Sequence, residues 1–196
     1  MDIFQRNVSG MTEKLKVPTI GIAGCGGLGS NIANSLVRSG VSNLIIADFD
    51  IVEPSNLNRQ SFYLEDLGKP KVEATAKYLK NINRDINLKV YNKKLTKDDI
   101  LPLFGEVSIM IEAFDSVESK KMLIDTWVKN RKDKPIICGN GIAGFGSFES
   151  LKIRKVGNIY FCGDGEKDMK EGFSAPRVLI VANMQANLAI DLIMNA

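Results

Sequence analysis

An apolar run, Thr19-Ile20-Gly21-Ile22-Ala23, leads into Gly24-Cys25-Gly26-Gly27-Leu28-Gly29-Ser30, and a helical pattern then continues to about Ser39. Strand, glycine turn and helix in that order confine the chain to a few α/β architectures. The spacing G-x-G-x-x-G asks for glycine for three separate reasons: a tight turn at Gly24, close approach of backbone to a ligand at Gly26, and close helix-strand packing at Gly29. The first amides of a helix have no intrahelical acceptor, so they favour an anion, and a nucleotide phosphate is the leading ligand. Packing alone also selects glycine in a tight turn, so the motif needs a second mark beside it.

Asp48 is that mark. It closes the next apolar run, 43–48, nineteen positions after Gly29. A carboxylate at the carboxyl end of the second strand accepts hydrogen bonds from ribose hydroxyls. Asp50 and Glu53 follow, and for Asp50 a ligand contact and a solvated loop remain equally open.

At 196 residues the chain is long enough for one domain with a buried core and short for two, so residues 1–196 are expected to form a single domain. It contains no histidine, which excludes histidine triads, bases and metal ligands. Cys25, Cys138 and Cys162 are odd in number and far apart, arguing for reduced thiols against a disulfide framework or paired zinc ligands. Lys and Arg total 26 against 23 acids, a surplus of three that does not call for nucleic acid. No unbroken apolar run approaches the roughly 18 residues of a membrane span, and residues 1–6 lack a secretory signal's apolar stretch. The expected location is the cytoplasm, away from membranes.

In chain order, residues 1–16 read as a polar arm or short helix carrying Arg6, followed by a strand at about 17–23. Helix 28–39 stops at Gly40, and strand 43–48 is apolar almost throughout, the pattern of a strand covered on both faces. Residues 49–60, with Ser55, Asn56, Asn58, Arg59 and Gln60, are too polar for a core element. Pro70 opens a helix over about 70–83 with Lys71 at its start, where a cation opposes the helix dipole; a bound anion would explain that placement. Ile86, Leu88 and Val90 alternate as a half-buried strand, and Thr96 caps a short helix. The stretch 106–116 reads as a strand ending in an acid, Asp115, and a capping serine, Ser116, which places Asp115 at the edge where open α/β sheets bind ligands, and helix 117–130 follows. A short strand over 134–138 leads into Gly139, Gly141, Gly144 and Gly146, which mark either bends or a surface crossed by a bound chain. Residues 147–156 alternate loosely as an antiparallel addition, 157–175 read as a loop, and 176–195 as a long apolar helix. The expected fold is α/β: a Rossmann-like, mostly parallel sheet with helices on both faces and an antiparallel C-terminal extension.

A nicotinamide dehydrogenase would use the glycine turn and Asp48, but it has no need of an arginine, a lysine and a further acid around phosphates. Activation of a terminal carboxylate by a nucleotide needs no general base, because that group is ionised above a pKa of about 3.3 to 3.7. It needs cations around departing pyrophosphate and Mg²⁺ held by one or two carboxylates.

Taken together, the 24–30 turn, Asp48-Phe-Asp50, Val52-Glu-Pro-Ser-Asn-Leu-Asn-Arg-Gln60, Gly68-Lys-Pro-Lys71 and Phe114-Asp115 resemble the signature of the ThiF/MoeB/HesA family, relatives of ubiquitin-activating enzymes. The short length, Glu112-Ala-Phe-Asp115 and Ala175-Pro-Arg177 resemble the short ThiF type most. The resemblance implies ATP-dependent adenylation of the C-terminal glycine of a small ubiquitin-like sulfur carrier protein, linked to thiamine biosynthesis. By position it implies that Gly24, Gly26 and Gly27 approach the phosphates and Asp48 the ribose. Asp50, Ser55, Asn56, Asn58, Arg59, Gln60 and Lys71 would line the ATP site. Arg59 and Lys71 would stabilise charge on the outer phosphates, and Asp115 would hold Mg²⁺. It further implies a homodimer in which Arg6 reaches the other subunit's ATP. A structural zinc is not expected, since paired C-x-x-C ligands are absent. Cys162 occupies the region where larger relatives carry a reactive cysteine, with a bystander thiol as the competing reading. Adenylation of another carboxylate or a tRNA base, and nucleotide binding without turnover, are the rival functions.

Overall fold

The computed structural model describes residues 3–146, 148–167 and 169–196. Among them, seven strands build one sheet: β1 Thr19–Ala23, β2 Asn43–Asp48, β3 Asn87–Asn92, β4 Ile109–Glu112, β5 Ile136–Gly139, β6 Lys152–Val156 and β7 Ile159–Gly163. Their order across the sheet is β3-β2-β1-β4-β5-β7-β6. All neighbours run parallel except β6 and β7, which pair antiparallel with Ile153 opposite Cys162. The helices are α1 Met11–Leu15, α2 Gly29–Ser39, α3 Lys71–Ile82, α4 Lys97–Phe104, α5 Val117–Asn130 and α6 Ala175–Met194.

Side chains on successive strand residues point to opposite faces, so a strand covered on both sides must be apolar throughout. Ile20, Ile22, Leu44, Ile46, Ile109 and Ile111 pack in one core with Ile32 and Leu36 of α2 and Val178, Val181 and Ala182 of α6. The intervening Ile45, Ala47, Met110 and Ile136 pack on the other face with Ile100 and Phe104 of α4 and Leu123 and Trp127 of α5. Helices therefore cover both faces. Gly40 ends α2 at φ 111°, and the amide of Val41 returns to Leu36 O at 3.0 Å.

One expectation is corrected. Residues 157–175 are not all loop, because Ile159–Gly163 forms β7 in the sheet interior, between β5 and β6. Its four-residue run, Ile159-Tyr-Phe-Cys162, follows the two-residue connection Gly157-Asn158, with Gly157 at φ 59°, a hairpin signal. By length and composition α6 could cross a membrane, the only such helix among the described residues, although Arg177, Asn183, Gln185 and Asp191 interrupt its apolar run. Its apolar side faces the sheet and α2, where Val178, Val181, Ala182, Gln185, Ala186 and Ala189 are buried.

Candidate functional site

In the strand order the direction of winding reverses between β1 and β4, and in open α/β sheets the crevice above that reversal receives ligands. A cavity of about 460 Å³ opens there, lined by Gly24, Gly26 and Gly27 from the first turn, Asp48 at the end of β2, Asp50 just after it, and Asp115 beyond β4. Arg59, Gln60 and Lys71 complete the wall on the same side.

The glycines of the turn serve the separate purposes that their spacing predicts. Gly24 has φ 101°, and a Cβ there would lie 2.5 Å from Ala113 O. A Cβ at Gly29 would lie 1.8 Å from Gly24 O. Both are forced by packing. At Gly26 the nearest atom to an added Cβ is Gln60 Nε2 at 3.8 Å, so this backbone is left bare toward the cavity. Beside it, the Arg59 side chain lies against Gly27, its Nε 3.6 Å from where a Cβ would stand.

Asp48 accepts the amides of Cys25 at 2.6 Å and Asp50 at 2.8 Å. Burial pushes its pKa up, and those two donors and Lys71 pull it back. Lys71 is almost wholly buried and pairs with Asp50 Oδ2 at 2.9 Å. The anion expected near Lys71 is thus supplied by the protein itself, and Asp50 holds the ammonium at the cavity wall. Arg59 donates from Nη1 to Asn58 Oδ1 at 2.8 Å and Ser55 O at 3.1 Å, and its guanidinium covers the Phe173 ring at 4.3 Å. Burial lowers its pKa and the charge of Asp115, which lines the same cavity, opposes that shift.

Ser55, Asn56 and Asn58 do not line the cavity. Ser55 and Asn58 instead hold the guanidinium of Arg59, while buried Asn56 accepts the amide of Glu53 at 3.1 Å and closes the turn Pro54–Asn56. Arg6 is exposed in a turn and does not line this chain's cavity. Conversely, Lys93, Lys94, Lys120, Lys167 and Asn140 line it and were not singled out from the sequence. Lys93 and Lys94 directly follow β3, so the rule that put Asp48 and Asp115 at the crevice applies to them as well.

Asp115 is exposed, and no cluster of three or more acidic or cysteine side chains with metal-ligand geometry occurs among the described residues. One carboxylate fits Mg²⁺ that arrives on a triphosphate and keeps phosphate oxygens and waters as its other ligands; it does not fit a resident cation cage. All three cysteines are buried. Cys162 sits inside β7, where burial pushes its thiol up to about 12.

Beyond the cavity, a buried ion pair joins Asp164 to Arg177 of α6. Arg177 also donates to Gly146 O at 2.6 Å, and Asp164 Oδ1 accepts the amides of Glu166 and Lys167. Gly141, Gly144 and Gly146 take φ of 70–72° in the segment so fastened, and a Cβ at Gly141 would lie 1.9 Å from Asp164 Oδ1. Bends and packing account for them.

Residues 3–196 match the family model described as the ThiF family. The chain belongs to the ThiF family. This ThiF chain is 36% identical over 189 residues to the sulfur carrier protein ThiS adenylyltransferase of Bacillus subtilis (strain 168), an alignment covering 92% of the chain and 56% of that protein. It is 37% identical over 131 residues to the molybdopterin-synthase adenylyltransferase of Haemophilus influenzae, covering 66% and 53%. The ThiF chain thus spans about half the length of these two relatives. Its fold matches the crystal structure of E. coli tRNA N6-threonylcarbamoyladenosine dehydratase, TcdA, in complex with AMP, with a TM-score of 0.86 at 20% identity over 94% of this chain and 89% of that one.

Proposed function

We propose that the protein is an adenylyltransferase that uses MgATP to activate the C-terminal glycine carboxylate of a small ubiquitin-like sulfur carrier. The observation that carries this reading is the convergence of Arg59, Lys71 and Asp115 on the cavity beneath the glycine turn. The names of the Bacillus subtilis and Haemophilus influenzae relatives support it.

In this reading the carboxylate oxygen attacks the α-phosphorus, a new O–P bond forms, and the bond to the β-phosphate oxygen breaks. No proton moves, because the attacking group is already ionised. Gly26 and Gly27 bring backbone against the phosphates, while Arg59 and Lys71 stabilise the charge that accumulates on departing pyrophosphate. Asp115 would hold Mg²⁺, which would supply positive charge against the phosphates. Asp48 would accept the ribose hydroxyls. In this reading the carrier's tail enters past Asn140, Gly141 and Lys167, which line the cavity. The active form is a homodimer in which Arg6 of each subunit serves the other's site, and thiamine biosynthesis is the pathway.

Exchange of labelled pyrophosphate into ATP tests the reaction. Exchange that requires a carrier ending in glycine is the expected result. ATP binding without exchange assigns the cavity to nucleotide sensing, and exchange driven by another carboxylate or by tRNA assigns the other substrate.

A further inference from the structure

Lys120 lies one turn into α5, beyond the Ser116 cap, and its side chain forms part of the cavity wall. Its ammonium pairs with Glu112 Oε2 and donates to Gly139 O at 2.9 Å. Glu112 ends β4, is fully buried, and accepts the amide of Phe114 on Oε1 at 2.8 Å. From the opposite face of the sheet, Gln185 donates to the carbonyls of Glu112 and Ile137, each at 3.2 Å. One cation therefore fastens the end of β4, which carries Asp115, to the end of β5, which carries Asn140 and Gly141.

A buried ion pair contributes little to stability, since desolvation of both groups offsets most of their attraction and a packed apolar pair often does as well. What this pair supplies and an apolar pair lacks is direction. The carboxylate holds the Phe114 amide, so the Ala113-Phe114-Asp115 turn is set one residue away from the acid that faces the cavity. Without Lys120, Glu112 would be a buried carboxyl with no countercharge, and burial already pushes its pKa up against the pull of the lysine.

Resting on the MgATP reading of the cavity, we propose that Lys120 is a positioning residue: through Glu112 it fixes the Asp115 carboxylate where the ion of a bound triphosphate must sit. Calorimetric titration of ATP into the full chain, with and without Mg²⁺, reads this directly. The wild type should bind ATP more tightly with Mg²⁺. Lys120→Met should reduce that gain by about tenfold or more, the usual effect of losing a group behind a metal ligand. Lys120→Arg should restore it. In an Asp115→Ala background, Lys120→Met should remove nothing further, because the gain is already gone. Should Lys120→Met fail to fold, the pair Glu112→Leu with Lys120→Met removes both charges and the acceptor of the Phe114 amide together, and should fold yet still lack the gain. A wild-type gain retained in folded Lys120→Met, alone or with the Glu112 substitution, overturns this inference alone. A wild-type chain that does not bind ATP, or binds it without any gain from Mg²⁺, overturns the nucleotide reading with it.

Discussion

Arg59 and Asp115 are the residues whose removal should harm chemistry without harming the fold, because the first is only partly buried and the second is exposed. Arg59→Ala and Asp115→Ala should each lower the rate of pyrophosphate exchange by about a hundredfold or more while the melting temperature stays near wild type. A rate within a few-fold of wild type would remove that residue from the site. The polar stretch 55–60 was legible as functional, yet only Arg59 and Gln60 reach the cavity. Ser55 and Asn58 act one step behind, because an arginine held at an opening needs acceptors on its far side, and sequence spacing does not separate a side chain that touches a ligand from one that aims its neighbour. Cys162 makes the same point in reverse. It lies in the region where larger relatives carry a reactive cysteine, yet its burial agrees with the bystander reading: a thiol raised to about 12 stays protonated at pH 8, whereas an unfolded cysteine titrates near 8.5. Iodoacetamide should label Cys162 slowly in the native protein at pH 8, faster as pH rises toward 12, and quickly in denaturant. Rapid native labelling at pH 8 would contradict the buried placement.

Strand, turn and helix boundaries around the glycine motif followed from the sequence because each has a local cause: an apolar run, a glycine at positive φ, a helix opened by small residues. This element makes a paired prediction. Gly29→Ala would drive a methyl into Gly24 O and should cost about 3 kcal/mol, seen as a fall in the denaturant midpoint. Gly26→Ala meets only the end of the Gln60 side chain, at 3.8 Å, so it should leave that midpoint unchanged and weaken ATP binding, measured by the same calorimetry. Equal loss of stability in both would mean that the turn is built for packing alone. The strand β7 was harder to read, since its Ile-Tyr-Phe-Cys run is four residues long and set among Gly, Asp and Lys, and what makes it a strand is parallel pairing with distant β5. Lys120 was hidden for a related reason: on α5 it reads as a solvated charge until the fold brings Glu112 and Gly139 to it.

Across the whole molecule, the sheet order places the carboxyl ends of β1, β2, β3, β4 and β5 around one crevice, and the cations and acids of the cavity come from segments far apart in the chain. The 140–146 segment, whose first residues line the cavity, is fastened by Arg177, which ties α6 to Asp164 and to Gly146 O. Removing one partner of a buried pair leaves the other charge uncompensated, so Arg177→Met should lower the unfolding free energy by about 3–5 kcal/mol in a denaturant titration. A change near zero would mean that this wall stands without the ion pair. The account as a whole holds that the crevice grips a triphosphate so that an ionised glycine tail can displace pyrophosphate. Intact-mass spectrometry of a ubiquitin-like carrier incubated with the protein and MgATP tests that claim most directly. The account predicts one adenylyl group on the carrier's terminal glycine, formed by the wild type and absent with Asp115→Ala; an unmodified carrier in the presence of bound ATP, or an equal adduct from the variant, would contradict it.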